Sequence, residues 1–165
     1  MQSWPAPDPG SSFMQPCIEP RNVNIYIDTA SPEQLRDADR RYRIDGVTTN
    51  PSLVAETDRR YRDVVETAAD ITGGPVFAQV LAEDADGMVR EARGYQDWAE
   101  HVVAKIPATR PGFEALSRIR ADGLLAGTPV VFRVAQAALA ATTDATFVAP
   151  YVGRTDDSAS DGLAP

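Results

Sequence analysis

His101-Val-Val-Ala-Lys-Ile-Pro107 sets the amine of Lys105 at the end of a short apolar run. Asp28, Asn50 and Gln79 end or closely follow three earlier runs of the same kind. The gaps between these four residues are 22, 29 and 26, each about the length of one strand-plus-helix unit. Polar residues recurring at the ends of successive strands are how a β/α barrel assembles one active site. A lysine among them points to covalent Schiff-base chemistry.

Outward from that run the pattern repeats. Val23–Asp28 reads as a first strand, and Ser31-Pro32 opens a helix with Gln34 at the capping-box distance and Leu35, Ala38 and Tyr42 on its apolar face. Ile44–Thr48 is the second strand, and Pro51-Ser-Leu begins one helix that carries Tyr61, Val64, Val65 and Ala68. Gly73-Gly74 ends it before the strand Pro75–Val80. A helix near Asp84–Glu100 places Met88, Ala92, Tyr95 and Ala99 at helical spacing ahead of the Lys105 strand. Phe113, Leu116 and Ile119 mark the next helix, Pro129–Phe132 a fifth strand, Ala135–Ala141 a helix and Ala145–Ala149 a sixth strand. The alternation predicts an α/β fold of parallel strands joined by helical crossovers. By itself it does not choose between an open sheet and a TIM-barrel-type (β/α) architecture, and six βα units are two short of a complete barrel.

The gross properties frame this body. A chain of 165 residues, 43% of them apolar, suits one domain with a real core. Residues 1–21 carry Pro5, Pro7, Pro9, Pro16 and Pro20 and read as a flexible extension; 158–165 read as a flexible tail, which leaves 22–157 as the ordered domain. The net charge of -8 excludes nucleic-acid binding through a broad basic surface. The single cysteine, Cys17, excludes an internal disulfide and a cysteine-rich metal site. With no run of eighteen apolar residues and no basic-then-apolar start, neither a membrane span nor a signal peptide is expected, and a cytoplasmic protein is.

Each polar strand-end residue has a local and a chemical reading. Lys105 either pairs with a carboxylate at the sheet edge or, with its pKa lowered among apolar walls, attacks a carbonyl. Asp28, in Asp-Thr-Ala-Ser31, caps the following turn or takes a proton from a substrate hydroxyl. Asn50, before Pro51, caps a helix or fixes a substrate hydroxyl, with Thr48 at the same strand end. Gln79 falls inside a core strand, where an unpaired amide is costly, so it is expected to have a partner such as a water used in proton transfer. Tyr151 packs an interface or exchanges protons during carbinolamine formation. Arg154 is a surface ion-pair residue or a phosphate clamp. His101 lies toward the opposite rim and reads as structural or solvent-facing.

In order and spacing, Ile27-Asp-Thr-Ala30, Asp45-Gly-Val-Thr-Thr-Asn-Pro51, Phe77-Ala-Gln-Val80, Gly87-Met-Val89, Val102-Val-Ala-Lys-Ile-Pro107 and Ala149-Pro-Tyr-Val-Gly-Arg154 resemble the transaldolase family. The likeness is strongest to its small branch of fructose-6-phosphate aldolases and covers roughly residues 23–157. The resemblance implies a β/α barrel with the Schiff-base lysine on strand four, matching Lys105. It implies Asp28 as the acid/base for bond cleavage and Asn50 as a contact for substrate hydroxyls. Gln79 and Tyr151 resemble the aldolase pair, where transaldolases proper usually place glutamate and phenylalanine. Arg154 matches a phosphate-binding arginine. Substrates would be a sugar phosphate or small hydroxyketone with aldehydes, and no metal or organic cofactor is required.

The chain also departs from the family pattern. Pro129 stands where a threonine is expected, and Arg133 replaces a small residue, so Arg133 is expected to enter the pocket or extend the anion site. Strands seven and eight have no counterpart, so two open sheet edges are expected: either a second copy or another partner covers them, or the chain is a truncated product of limited stability. The alternative to a Schiff-base aldolase or transaldolase is a catalytically inactive family member acting as an assembly subunit or phosphate-binding module.

Overall fold

The computed structural model describes residues 23–152. Cys17, Arg154 and the two expected flexible ends lie outside the described residues. Strands and helices alternate as β1 (Tyr26–Asp28), α1 (Pro32–Tyr42), β2 (Gly46–Thr48), α2 (Pro51–Ala55), α3 (Tyr61–Thr72), β3 (Val76–Gln79), α4 (Ala85–Tyr95), β4 (Val102–Lys105), α5 (Arg110–Ala121), β5 (Ala126–Val131), α6 (Val134–Thr142) and β6 (Val148–Pro150). All neighbouring strands are parallel, in the order β1-β2-β3-β4-β5-β6. The sheet curls into a half-barrel. In a flat sheet β3 and β6 would stand about 14 Å apart, yet the rings of Phe77 and Phe147 lie 4.9 Å apart, centroid to centroid. Tyr26 of β1 meets the same Phe77 ring at 5.1 Å.

Two-residue periodicity divides each strand between two environments. Val47, Val76, Ala78, Val102, Ala104 and Ala126 face outward and are buried against Leu35 of α1, Val65 and Ala68 of α3, Met88, Val89 and Ala92 of α4, and Leu116 and Ile119 of α5. The intervening residues face the concave side. Helix starts are written locally: Ser31, Asn50, Asp84 and Thr109 accept the N–H groups of Gln34, Leu53, Gly87 and Gly112 at 3.3, 3.0, 2.8 and 3.2 Å. Gln34 does not complete a reciprocal box. Its side chain accepts from Thr29 Oγ1, which itself accepts the Ser31 N–H.

Four expectations need correction. The helix expected to run unbroken from Pro51 is two helices, because the Thr57 N–H and hydroxyl both bond the Val54 carbonyl, at 2.9 and 2.8 Å, and close α2. Tyr42 is 64% exposed rather than core, since α1 ends there and Ile44 enters the core in its place. The fifth strand begins at Ala126, ahead of the expected Pro129, and carries an irregularity between Thr128 and Val131. That bulge holds Pro129, which has no N–H to give a ladder, and Val130 at φ 59, a conformation costly for a β-branched residue. The sixth strand is shorter than expected, its regular ladder beginning at Val148.

Gly127 of β5 and Gly46 of β2 stand where a side chain has no room. A Cβ at Gly127 would collide with the ring and the carbonyl of Phe147, and one at Gly46 would collide with the Pro75 carbonyl and crowd the Tyr26 ring. Glycine thus makes room for the rings that floor the half-barrel. Among the described residues β1 and β6 each have one strand neighbour, and Val23, Ile25, Tyr26, Val148 and Tyr151 are exposed along those edges.

Gly127→Ala should lower stability by about 1–3 kcal/mol, the usual range for overpacking, read as a lower urea midpoint. Trimming Phe147 to leucine in the same chain should restore only part of the loss, because the backbone carbonyl remains in the way.

Candidate active site

The strand register builds the site in two steps. Asp28 lies opposite Thr48, and Thr48 opposite Phe77; Gln79 lies opposite Lys105, one inward-facing layer further along. Asp28, Thr48, Asn50, Gln79, Lys105 and Tyr151, the residues expected to share a rim, all line one concave cavity of about 1070 Å³ with Tyr26, Phe77 and Phe147 in its walls. Pro129 and Val130 of the β5 bulge line it as well.

Lys105 is half-buried between the fully buried Ala104 and Ile106. Its Nζ donates to the Thr49 carbonyl at 3.0 Å, beyond the end of β2. Burial pushes the amine's pKa below its ordinary value of 10.5, and the negative charge of Asp28 offsets part of that fall. Lys105 is also the sole lysine of the sequence; the other fifteen of its sixteen lysine-plus-arginine residues are arginines. That count was a plain sequence signal, and the motif reading did not use it.

Asp28 does not cap α1, because Ser31 takes that position. Its carboxylate instead accepts the Thr48 hydroxyl at 2.7 Å and borders the cavity. Asn50 realises both of its readings: Oδ1 accepts the Leu53 N–H as the α2 cap, while the residue lines the cavity and its amide N–H groups are donors that the cap does not use. Gln79 is half-buried and lines the cavity. Its side chain makes no hydrogen bond to a described residue, because the inner face of a barrel strand here is a cavity wall and not a sealed core. Tyr151 lies at the mouth, edge-on to Phe132 at 5.9 Å, with its backbone N–H on the Val131 carbonyl.

Of the two readings of Arg133, entry into the pocket is not realised: the residue is exposed at the N-cap of α6 and absent from the cavity lining, because β5 ends at Val131 and the chain turns into α6. His101 is exposed beside Glu100, 3.9 Å away, at the entrance of β4 opposite to Lys105. Among the described residues, no group of three or more His, Cys, Asp or Glu could hold a metal ion. No described helix is long and apolar enough to cross a membrane. Sequence reasoning missed the hydroxyls of Tyr61 and Tyr95. Spacing marked their rings as apolar-face residues, and their oxygens reach the main chain of Gln79.

A parallel β/α sheet curled around polar residues at its strand ends defines a barrel-type protein with an enzyme-like site. The chain belongs to the transaldolase/fructose-6-phosphate aldolase family, whose model matches residues 25–164. It is 41% identical over 141 residues to a probable transaldolase of Herpetosiphon aurantiacus, covering 86% of this chain and 64% of that protein. Probable transaldolases of Methanococcus maripaludis and Thermoanaerobacter sp. are each 40% identical over the same share of this chain, with 66% and 65% of their own lengths covered. The chain thus spans just under two thirds of the length of these relatives.

The lowered pKa of Lys105 has a stability consequence. The unfolded chain binds the lysine proton more tightly than the folded one, so stability rises with pH through the window between the folded value and 10.5. Below that window the charged, half-buried amine is a standing cost; above it the cost is gone. Lys105→Met should therefore unfold at a higher temperature than the parent chain near neutral pH, and the gap should narrow as pH approaches 10.5. Reductive ¹³C-methylation offers a direct check, since only one side-chain amine takes the label. Its resonance should titrate at lower pH in the folded chain than after denaturation.

Proposed function

We propose that this chain carries out Schiff-base aldol chemistry, cleaving or transferring a dihydroxyacetone unit of a sugar phosphate. One observation carries the reading: the chain's sole lysine is half-buried in the cavity that Asp28 also lines, with its proton affinity reduced. Family membership and relatives named probable transaldolases support the same chemistry.

In this scheme the neutral Lys105 amine adds to the ketone carbonyl, giving a carbinolamine that loses water to an iminium. Tyr151 supplies and recovers the protons of that exchange. The Asp28 carboxylate takes the proton of the hydroxyl beside the scissile bond, and the Thr48 hydroxyl that donates to it holds its orientation. The carbon–carbon bond breaks, the aldehyde leaves, and its electron pair enters the iminium to form an enamine. Protonation at carbon and hydrolysis, through a water held by Gln79, release the ketone and free the lysine. Capture of the enamine by a second aldehyde gives transfer instead. Asn50 binds substrate hydroxyls through its amide N–H groups, and Arg154, outside the described residues, binds the phosphate.

Intact mass after incubation with fructose 6-phosphate or dihydroxyacetone and borohydride tests the scheme. A mass gain should appear in the parent chain and vanish in Lys105→Ala. Asp28→Asn should retain the adduct and lose cleavage by about 10²–10⁴-fold, the usual worth of a general base. No adduct on folded protein would sink the reading for these substrates.

A further inference from the structure

Three polar side chains reach the end of β3 from the helical layer. The Gln79 N–H donates to Tyr61 Oη of α3 at 2.5 Å, and Tyr95 Oη of α4 donates to the Gln79 carbonyl at 2.8 Å. Glu91, one turn before Tyr95, accepts the N–H groups of Leu81 and Ala82 at 2.6 and 3.0 Å. Four backbone groups of the chain leaving β3 are thus met by side chains.

The need for them follows from the ladder. In β3 the N–H groups of Val76 and Val80 donate toward β4, to the carbonyls of His101 and Lys105, while the Phe77 carbonyl accepts from Thr49 on the β2 side. Gln79 shares the parity of Phe77, so its N–H and carbonyl face β2. By that level the chain has left β2, which ends at Thr48, and has turned into α2 at Pro51. Both backbone groups would be orphaned there, at about 1–3 kcal/mol each. The two phenols stand in for the missing strand.

That substitution bears on chemistry, because the Gln79 side chain lines the cavity with no hydrogen bond to a described residue, so the main chain that carries it governs where it points. We infer that Tyr61 and Tyr95 are positioning residues that lock the end of β3 and thereby aim the Gln79 amide into the cavity. The inference rests on the Schiff-base reading, in which Gln79 holds the hydrolytic water. The phenols are themselves fixed. Tyr61 and Tyr95 meet edge-on at 6.2 Å, and both pack on Trp98, at 5.7 and 4.4 Å. Burial raises the pKa of both phenols, which keeps their protons in place.

Tyr61→Phe and Tyr95→Phe keep the ring packing and each remove one backbone partner. With dihydroxyacetone-releasing cleavage of fructose 6-phosphate as the assay, each variant should trap the Lys105 adduct with borohydride at the parent yield. KM should stay within about twofold and kcat should fall about tenfold, a 1.4 kcal/mol effect. In a Gln79→Ala background, Tyr61→Phe should cost no further kcat, whereas a purely structural role would cost the same fold in both backgrounds. Unchanged kcat in an adduct-forming Tyr61→Phe chain, or an equal loss without Gln79, would overturn the positioning role and leave the Schiff-base reading intact. Absence of any adduct in the parent chain overturns that reading and the catalytic role together. Exchange of the Gln79 amide proton, followed by NMR, tests the clamp without turnover: it should quicken in Tyr61→Phe, and an unchanged rate would refute the clamp itself.

Discussion

The alternation of β4 is the constraint on which the rest of the molecule depends. Val102 and Ala104 turn outward and are buried in the helical layer, so Val103 and Lys105 must turn inward. A shift of one residue would drive the amine into a sealed apolar layer, where neither the Thr49 carbonyl nor the field of Asp28 could offset its desolvation. Register therefore decides both the core and the site. The amine ends half-buried, close enough to apolar walls to lose proton affinity and close enough to polar groups to remain soluble in its surroundings.

Curvature is the second requirement, and it comes from unequal side-chain size on the concave face. Tyr26, Phe77 and Phe147 fill one level of the interior, and Gly46 and Gly127 yield space to them. Large rings on some strands and glycine on others draw β1 and β6 toward β3. Asp28 and Thr48 stand in register with Phe77, and Gln79 and Lys105 lie one inward-facing layer beyond these rings. The bulge in β5 belongs to the same geometry: it lies between Thr128 and Val131, and its Pro129 and Val130 form part of the cavity wall.

Much of this was legible in the sequence, for a physical reason. Strands with period two and helices with period 3.6 leave separate marks, and polar residues at strand ends stand out against apolar runs, so Asp28, Asn50, Gln79 and Lys105 could be picked before any coordinates. What escaped depended on groups meeting in space. The break between α2 and α3 hinges on a threonine hydroxyl turning back to Val54, which no periodicity records. The phenols of Tyr61 and Tyr95 occupy helix positions typical of core rings, and their partner appears only once β2 is seen to end before β3 does. Arg133 stays out of the cavity lining because the chain leaves β5 at Val131 and turns into α6, a change of direction that composition does not record. Gln79 reads as a core-strand residue because composition does not tell a cavity wall from a sealed core, and it is half-buried on that wall.

The ratio of fifteen arginines to one lysine acts beyond the cavity. Arginine stays protonated at any physiological pH and has no free electron pair to offer an electrophile. Acylating agents, reducing sugars and reactive aldehydes therefore find one side-chain amine on this polypeptide, the one within the cleft. Modifications confined to lysine side chains, which on most proteins scatter over the surface, have a single position open to them here.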